Sequence, residues 1–336
     1  MTALTMAKAI NAGLRKALAD DPHVVLMGED IGTLGGVFRV TDGLQTEFGP
    51  RRVMDSPLAE SGILGTAVGM AYRGYRPVVE IQFDGFVYPA FDQIVSQVAR
   101  MHYRTGGAVR MPITIRVPFA GGIGAAEHHS DSPEAYFAHA AGLRVVSPSD
   151  PQDAYTLIQQ AIASDDPVLY FEPKRRYHAK GDVEVEADLA DARPMGTARV
   201  VATGRDVTLV TYGGLVQLAR DAAVAAEDEG VSVEVIDLRS LSPLDLDTVV
   251  ASVRKTGRLV VTHEAALSGG LGAEISASIT ERCFYHLEHA PVRVTGHDIP
   301  YPAARLEGAH LPDLDRILDG IDRAMDRPNS LTGVED

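Results

Sequence analysis

The stretch Asp55-Ser-Pro-Leu-Ala-Glu60-Ser-Gly-Ile-Leu-Gly-Thr-Ala-Val-Gly-Met-Ala-Tyr72 sets one carboxylate at the entrance of an otherwise apolar, glycine-studded helix. Ser56 and Pro57 read as the helix start, and Ile63, Leu64, Ala67, Val68 and Ala71 recur behind them at helical spacing. Gly62, Gly65 and Gly69 fall on one side of that helix, each costing ~1 kcal/mol relative to alanine in a helix interior. Close approach of another backbone or of a flat ligand would offset that cost. Glu60 has two readings at this point, an acid complementing the dipole of a first turn or a carboxylate placed for chemistry.

Outward from this helix the chain alternates strands and helices. Upstream, residues 4–19 carry apolar side chains at helical spacing, and Val24-Val-Leu-Met-Gly28 reads as a buried strand ending in Gly-Glu29-Asp30. The loop 31–43 is glycine-rich but holds no GxGxxG before a helix, so it reads as a flexible or ligand-covering loop. Downstream come a strand over 77–83, an amphipathic helix over 88–104 with Ile94, Val95, Val98 and Met101 inward, strands at 113–117 and 143–146, a helix at 151–164 and a strand at 168–171. This order predicts an α/β fold whose sheets are mostly parallel and covered on both faces. The charged, proline-containing segment 181–197 reads as a linker between domains at 1–180 and 198–336. The second domain repeats the alternation, with strands at 207–212, 231–238, 258–262 and 292–295 and helices near 214–229, 245–254, 270–286 and 312–325.

Composition narrows the function. A net charge of -15 without a basic stripe opposes binding to nucleic acid or an anionic membrane, because both require lysine and arginine to neutralise phosphate. No run of about 18 apolar residues and no leader-like start is present, so a cytoplasmic or matrix location is expected. A lone Cys283 excludes an intrachain disulfide and a cysteine zinc site, and it reads as a small buried apolar residue.

The densest polar stretch is Gly121-Gly-Ile-Gly-Ala-Ala-Glu127-His-His129-Ser-Asp131-Ser-Pro-Glu134, a loop after a strand at the sheet edge where α/β ligands bind. Adjacent histidines in an extended loop point apart and no HExxH helix accompanies them, which counts against a metal hydrolase. Surface solvation and a histidine acting on a charged intermediate both fit. No Gly-x-Ser-x-Gly elbow exists, so the hard chemistry is expected from a cofactor. His263-Glu264, at the end of a second-domain strand, fits either a site or packing between domains.

These residues resemble the beta subunit of the thiamine-diphosphate-dependent decarboxylase component of 2-oxo acid dehydrogenase complexes. The likeness rests on Gly28-Glu-Asp30, Gly36-Val-Phe-Arg39, Asp55-Ser-Pro-Leu-Ala-Glu60, Glu80-Ile-Gln-Phe83, Tyr88-Pro-Ala-Phe-Asp-Gln-Ile94, His129-Ser130, Phe171-Glu-Pro-Lys174, Ile236-Asp-Leu-Arg239 and Gly272-Ala-Glu274, in order over almost the whole chain. It implies a transketolase-like pyrimidine-binding domain followed by a transketolase C-terminal-like domain. Ile81-Gln-Phe-Asp-Gly-Phe86, His128-His-Ser-Asp-Ser-Pro-Glu-Ala135 and Phe171-Glu-Pro-Lys-Arg-Arg-Tyr177 look most like the branched-chain enzymes, with pyruvate dehydrogenase the close alternative.

The resemblance also assigns roles. Glu60 would meet the aminopyrimidine ring nitrogen of thiamine diphosphate and drive the imino tautomer that removes the thiazolium proton. Glu29, Leu58, Gln82 and Phe86 match positions on or near the pyrimidine; many relatives carry tyrosine where Phe86 stands. His129 matches a histidine facing the reacting carbon and assisting acyl transfer to a lipoyl arm, with Asp131 where relatives commonly carry glutamine. Backbone carbonyls of Ile113, Ala161, Ser164 and Asp166 match a potassium site. The magnesium that anchors the diphosphate normally sits on a Gly-Asp-Gly segment followed by asparagines. This chain has only Asn11 and Asn329 and no such segment, so an alpha subunit is expected to supply that half in an alpha2-beta2 assembly serving a lipoyl acyltransferase. The glycine-lined helix is a candidate contact with that subunit. A flavin- or nicotinamide-binding electron-transfer subunit and a noncatalytic scaffold are the readings from other classes.

Overall fold

The computed structural model describes residues 1–327. Asn329 and the other residues beyond Arg327 lie outside the described part. In the first half the strands are β1 (Thr2–Thr5), β2 (Val24–Gly28), β3 (Val53–Asp55), β4 (Arg76–Glu80), β5 (Thr114–Phe119), β6 (Arg144–Val146), β7 (Val168–Pro173) and β8 (Lys180–Val183). The second half adds β9 (Arg199–Ala202), β10 (Val207–Thr211), β11 (Val233–Asp237), β12 (Ser240–Ser242), β13 (Leu259–Ala266) and β14 (Val292–Gly296).

The larger sheet runs β12-β6-β7-β5-β4-β2-β3, parallel throughout except for β12 on β6. The second sheet runs β14-β13-β10-β11-β9, parallel except for β9 on β11. Strands flanked by helices on both faces must bury both sides, and β2 (Val-Val-Leu-Met-Gly) and β10 are buried at every position. Along β2 and β4, Leu26 and Val78 enter the core under helices Met6–Asp20 and Pro151–Ala163, whereas Met27 and Val79 enter the core under helix Glu60–Tyr72. That second core runs without a break into the C-terminal half through Val210, Ile236, Ile275 and Cys283.

Helix boundaries follow their caps. Thr5 accepts from Lys8 N, Asp150 precedes Pro151 and accepts from Asp153 N, and Asp245 and Asp313 cap the helices that follow them. The helix expected to start at Ser56-Pro57 instead begins at Glu60: residues 56–59 are non-helical, with a bend at Leu58, and Ala59, at φ -167, precedes the first turn without a side-chain cap. The single helix expected over 88–104 is broken. Asp84–Ala90 is a 3-10 turn containing Pro89, which has no N–H to give; Gln93–Val98 is a π turn; and Met101–Arg104 ends the segment. Ile94 and Val98 are both fully buried along the broken segment, as the inward face expected of a single helix requires. Segment 181–197 is not bare linker, since β8 pairs antiparallel with β1.

Because the strands are parallel, β2, β3, β4, β5 and β7 all release their chain at one edge. They lead there into Glu29, Glu60, Gln82, the glycine loop at 121–124 and Lys174. Just inside that edge Arg116 is buried between Glu172 and Glu80, with Tyr177 donating to Glu172 at 2.6 Å. Gly36, at φ +78, passes so close over this group that a Cβ would stand 3.2 Å from Glu80 Oε1.

Candidate active site

Two carboxylates meet at the mouth. Glu60 is the first residue of its helix and only 8% exposed, and Glu29 is 7% exposed. Burial first, and then the charge of Glu60, hold the Glu29 carboxyl above its ordinary range, opposed by the Ala59 backbone N–H. Glu29 Oε1 is buried with no hydrogen-bond partner among the described residues, a polar atom left for something else. Gln82 reaches back with Nε2 to Glu29 O and Asp30 Oδ2, both at 3.3 Å. Leu58, two residues before Glu60, stands 79% exposed beside them.

An aromatic wall faces this mouth. His129 packs edge-on against Phe83 at 4.3 Å between ring centroids and against Phe86 at 5.3 Å, and Phe83 and Phe86 lie 5.8 Å apart. The Nδ1 of His129 lies 3.4 Å from the Glu127 carbonyl, and its Nε2 has no protein partner among the described residues. Under the wall, Lys174 and Asp84 form a fully buried ion pair, with Lys174 Nζ 5.9 Å over the Phe83 ring. Burial outweighs the lysine and pushes the Asp84 carboxyl up to about 6. Gly85 has no room for a side chain, since a Cβ would stand 2.5 Å from His128 Cα, and its N–H donates to His128 O at 3.2 Å. On the far side of the same loop, burial and then the charge of Asp131 hold the Tyr88 hydroxyl well above its ordinary range.

Of the residues expected from the sequence, Glu29, Glu60 and Gln82 share the mouth and Phe86 and His129 share the wall. Phe83, Asp84 and Lys174 were not singled out, although Phe83 and Asp84 directly follow Gln82 and a site on that strand end implicates them. Ile113, Ala161, Ser164 and Asp166 lie at the opposite, amino edge of β5 and β7. There Ile113 O accepts from Val168 N at 3.0 Å and Ala161 O from Ser164 N at 3.3 Å. Arg76 Nη1 donates to Ile162 O, Ala163 O and Ser164 O at 3.2, 3.4 and 3.0 Å. A guanidinium thus already supplies positive charge to this helix end, touching one of the four expected carbonyls, that of Ser164. Asn11 donates to Val40 O at 2.7 Å and Asp42 O at 3.1 Å, a structural post for the glycine-rich loop. His263 is neutral and structural. Burial takes its pKa down to about 4, and Nε2 accepts from Gly272 N at 3.0 Å. Glu264 packs between the halves, taking Gly121 N at 2.9 Å and Arg175 at 3.1 Å.

Two α/β halves built on mostly parallel sheets, with buried carboxylates beside an aromatic wall at one sheet edge, have the architecture of the transketolase-like class. Residues 2–180 match the transketolase pyrimidine binding domain and residues 196–317 the transketolase C-terminal domain. A solved split-gene transketolase, an inactive beta4 tetramer, superposes with a TM-score of 0.78 over 96% of this chain and 98% of its own at 23% identity, which shows the shared fold. The chain is 57% identical to the pyruvate dehydrogenase E1 component subunit beta of Leifsonia xyli, over 96% of this chain and 95% of that one. It is 55% identical to the 3-methyl-2-oxobutanoate dehydrogenase subunit beta of Mycobacterium tuberculosis, over 97% and 93%. The chain belongs to the family of 2-oxo acid dehydrogenase beta subunits.

Proposed function

We propose that this chain is the beta half of the decarboxylating component of a branched-chain 2-oxo acid dehydrogenase. In this reading it works in an alpha2-beta2 assembly and passes the acyl group to the lipoyl-lysine of an acyltransferase. The observation that carries the reading is the buried Glu29–Glu60 pair set against the Phe83–Phe86–His129 wall. Thiamine diphosphate, held here, would supply the nucleophilic carbon and the electron sink for loss of CO2. Glu60 holds and moves a proton at its carboxylate, shielded from bulk water at a helix entrance. Glu29 keeps a free Oε1 for a ring donor, Leu58 and Phe86 offer apolar faces, and Gln82 fixes the Glu29 backbone. His129 offers Nε2 for a proton to or from the acyl carbon's oxygen. Magnesium is assigned to the alpha subunit, and potassium at Ile113, Ala161, Ser164 and Asp166 is at most a structural addition. Domains at 1–180 and 198–336 with a connector at 181–197, and a cytoplasmic or matrix location, complete the proposal; no helix among the described residues is long and apolar enough to cross a membrane.

The branched-chain assignment is supported by the apolar wall and by the three motifs that carry the resemblance. Pyruvate is the second reading, favoured by the 57% identity to a pyruvate dehydrogenase subunit. Decarboxylation with thiamine diphosphate, magnesium and an artificial electron acceptor, with and without the alpha subunit, separates them. Turnover only with both subunits and a higher kcat/KM for 2-oxoisovalerate is expected. A preference for pyruvate replaces the substrate assignment, and full activity from this chain alone defeats the shared site.

A further inference from the structure

The loop that carries His129 is pinned at its other end by acids from the C-terminal half. Ala120, Gly122, Gly124 and His128 all take positive φ (67, 84, 70 and 68°), so the loop depends on outside contacts to stay in one conformation. Its carboxyl end is tied through Gly85 N to His128 O at 3.2 Å and Ala120 N to Asp131 O at 2.8 Å. The amino end presents three N–H groups in a shallow nest, and all three are taken by carboxylates from more than 140 residues away. Gly121 N donates to Glu264 Oε2 at 2.9 Å; Gly122 N donates to Glu307 Oε1 at 2.9 Å; Gly124 N lies 3.2 Å from Glu307 Oε2. Glu307 is itself oriented by the Tyr301 hydroxyl at 2.6 Å, and Glu264 by Arg175 at 3.1 Å. Tyr301 lies so close to Gly121 that a Cβ there would fall 1.9 Å from its hydroxyl oxygen.

We propose that Glu307 is a positioning residue for acyl transfer: its carboxylate, with Glu264, holds the glycine nest of loop 120–131 and so fixes His129 against Phe83 and Phe86. The inference rests on the role given to His129 above, and reaches the chemistry only through the loop. Among the described residues Glu307 is the only side chain accepting from Gly122 and Gly124 N–H. Decarboxylation, which needs Glu60 and not the loop, should then be insensitive to Glu307, whereas hand-over to a lipoyl arm should depend on it.

The test uses the assembled alpha-beta complex carrying Glu307→Ala, Glu307→Gln or Tyr301→Phe. Three quantities are read: hydrogen exchange of the peptide covering 121–130, kcat and KM with a free lipoyl domain, and turnover with an artificial electron acceptor. In Glu307→Ala, exchange of that peptide should rise about tenfold while the sheet is unchanged. Lipoyl-dependent kcat should fall about tenfold with 2-oxo acid KM and artificial-acceptor turnover nearly constant. Glu307→Gln, which keeps a carbonyl acceptor, should recover most of both. Tyr301→Phe should fall between and serves if Glu307→Ala does not assemble. Unchanged loop exchange in Glu307→Ala overturns the inference whatever the activity. Faster loop exchange with intact acyl transfer overturns the link to His129. A wild-type complex inactive on every 2-oxo acid defeats the function instead, and the exchange result still reads the clamp.

Discussion

At the scale of single residues, Glu60 is decided by where a helix begins. Four non-helical residues deliver it as the first helical residue, where N–H groups with no intrahelical partner favour a negative charge. The same placement brings it against Glu29, whose carboxyl is held above its ordinary range by burial and then by the charge of Glu60. Glu60→Gln keeps the shape and removes the proton carrier. Turnover of the reconstituted complex should drop at least ~100-fold while the melting temperature moves by no more than ~2 °C. Activity within about threefold of wild type would remove Glu60 from the chemistry. His129 is a contrasting case, since its sequence neighbours say little and its position comes from Phe83, Phe86 and a loop fixed at both ends.

At the scale of elements, helix Glu60–Tyr72 keeps an unfilled face. Gly62, Gly65 and Gly69 are exposed, and a Cβ on Gly65 or Gly69 would meet nothing within 4 Å. Nothing among the described residues therefore offsets the helix cost of those glycines, and the proposed alpha subunit is the partner whose backbone would. The prediction has opposite signs in two settings. Gly65→Leu should leave the isolated chain as stable or up to ~1 kcal/mol more stable by thermal unfolding, since leucine is the better helix former. The same change should weaken assembly with the alpha subunit at least ~10-fold by sedimentation. Destabilisation of the isolated chain with normal assembly would show that the face is closed within the chain.

At the scale of the molecule, the halves are joined through buried polar contacts as well as a shared core. Strand β12 leaves the second half to extend the first sheet beside β6, and buried Arg239 holds Asp153 and the carbonyl of Thr197 at 2.7 Å each. Glu134 of the first half accepts the Tyr212 hydroxyl of the second at 2.5 Å, and burial raises its pKa to about 7 from a model-peptide value of 4.5. The folded state thus binds a proton that the unfolded chain has released between those values. This contribution is present in full below about 4.5, is lost as pH rises to about 7, and is on the order of 3 kcal/mol. The stability difference between wild type and Glu134→Gln, measured by urea unfolding, should fall with rising pH across that window and be flat above it. A difference constant with pH would mean that Glu134 is charged in the folded protein.

The sequence by itself determined the kinds of element and their order, because helical spacing, capping residues such as Asp150 with Pro151, and uninterrupted apolar runs such as Val24–Met27 are local signals. It also exposed Glu60 as a carboxylate leading an apolar helix, and the lack of a Gly-Asp-Gly segment followed by asparagines. Strands β1, β3, β8, β9 and β12, three or four residues each, are too short to carry a period, and they form because a neighbouring strand offers hydrogen bonds. The 84–104 segment divides into 3-10, π and α turns, with Pro89, which lacks an N–H, in the first of them. Only tertiary structure decided that Phe83 packs edge-on against His129, that Arg76 occupies the carbonyls near Ser164, and that Glu264 and Glu307 reach the glycine loop. Those contacts join residues 46 to 185 positions apart, and a contact across such a span leaves no trace in local spacing.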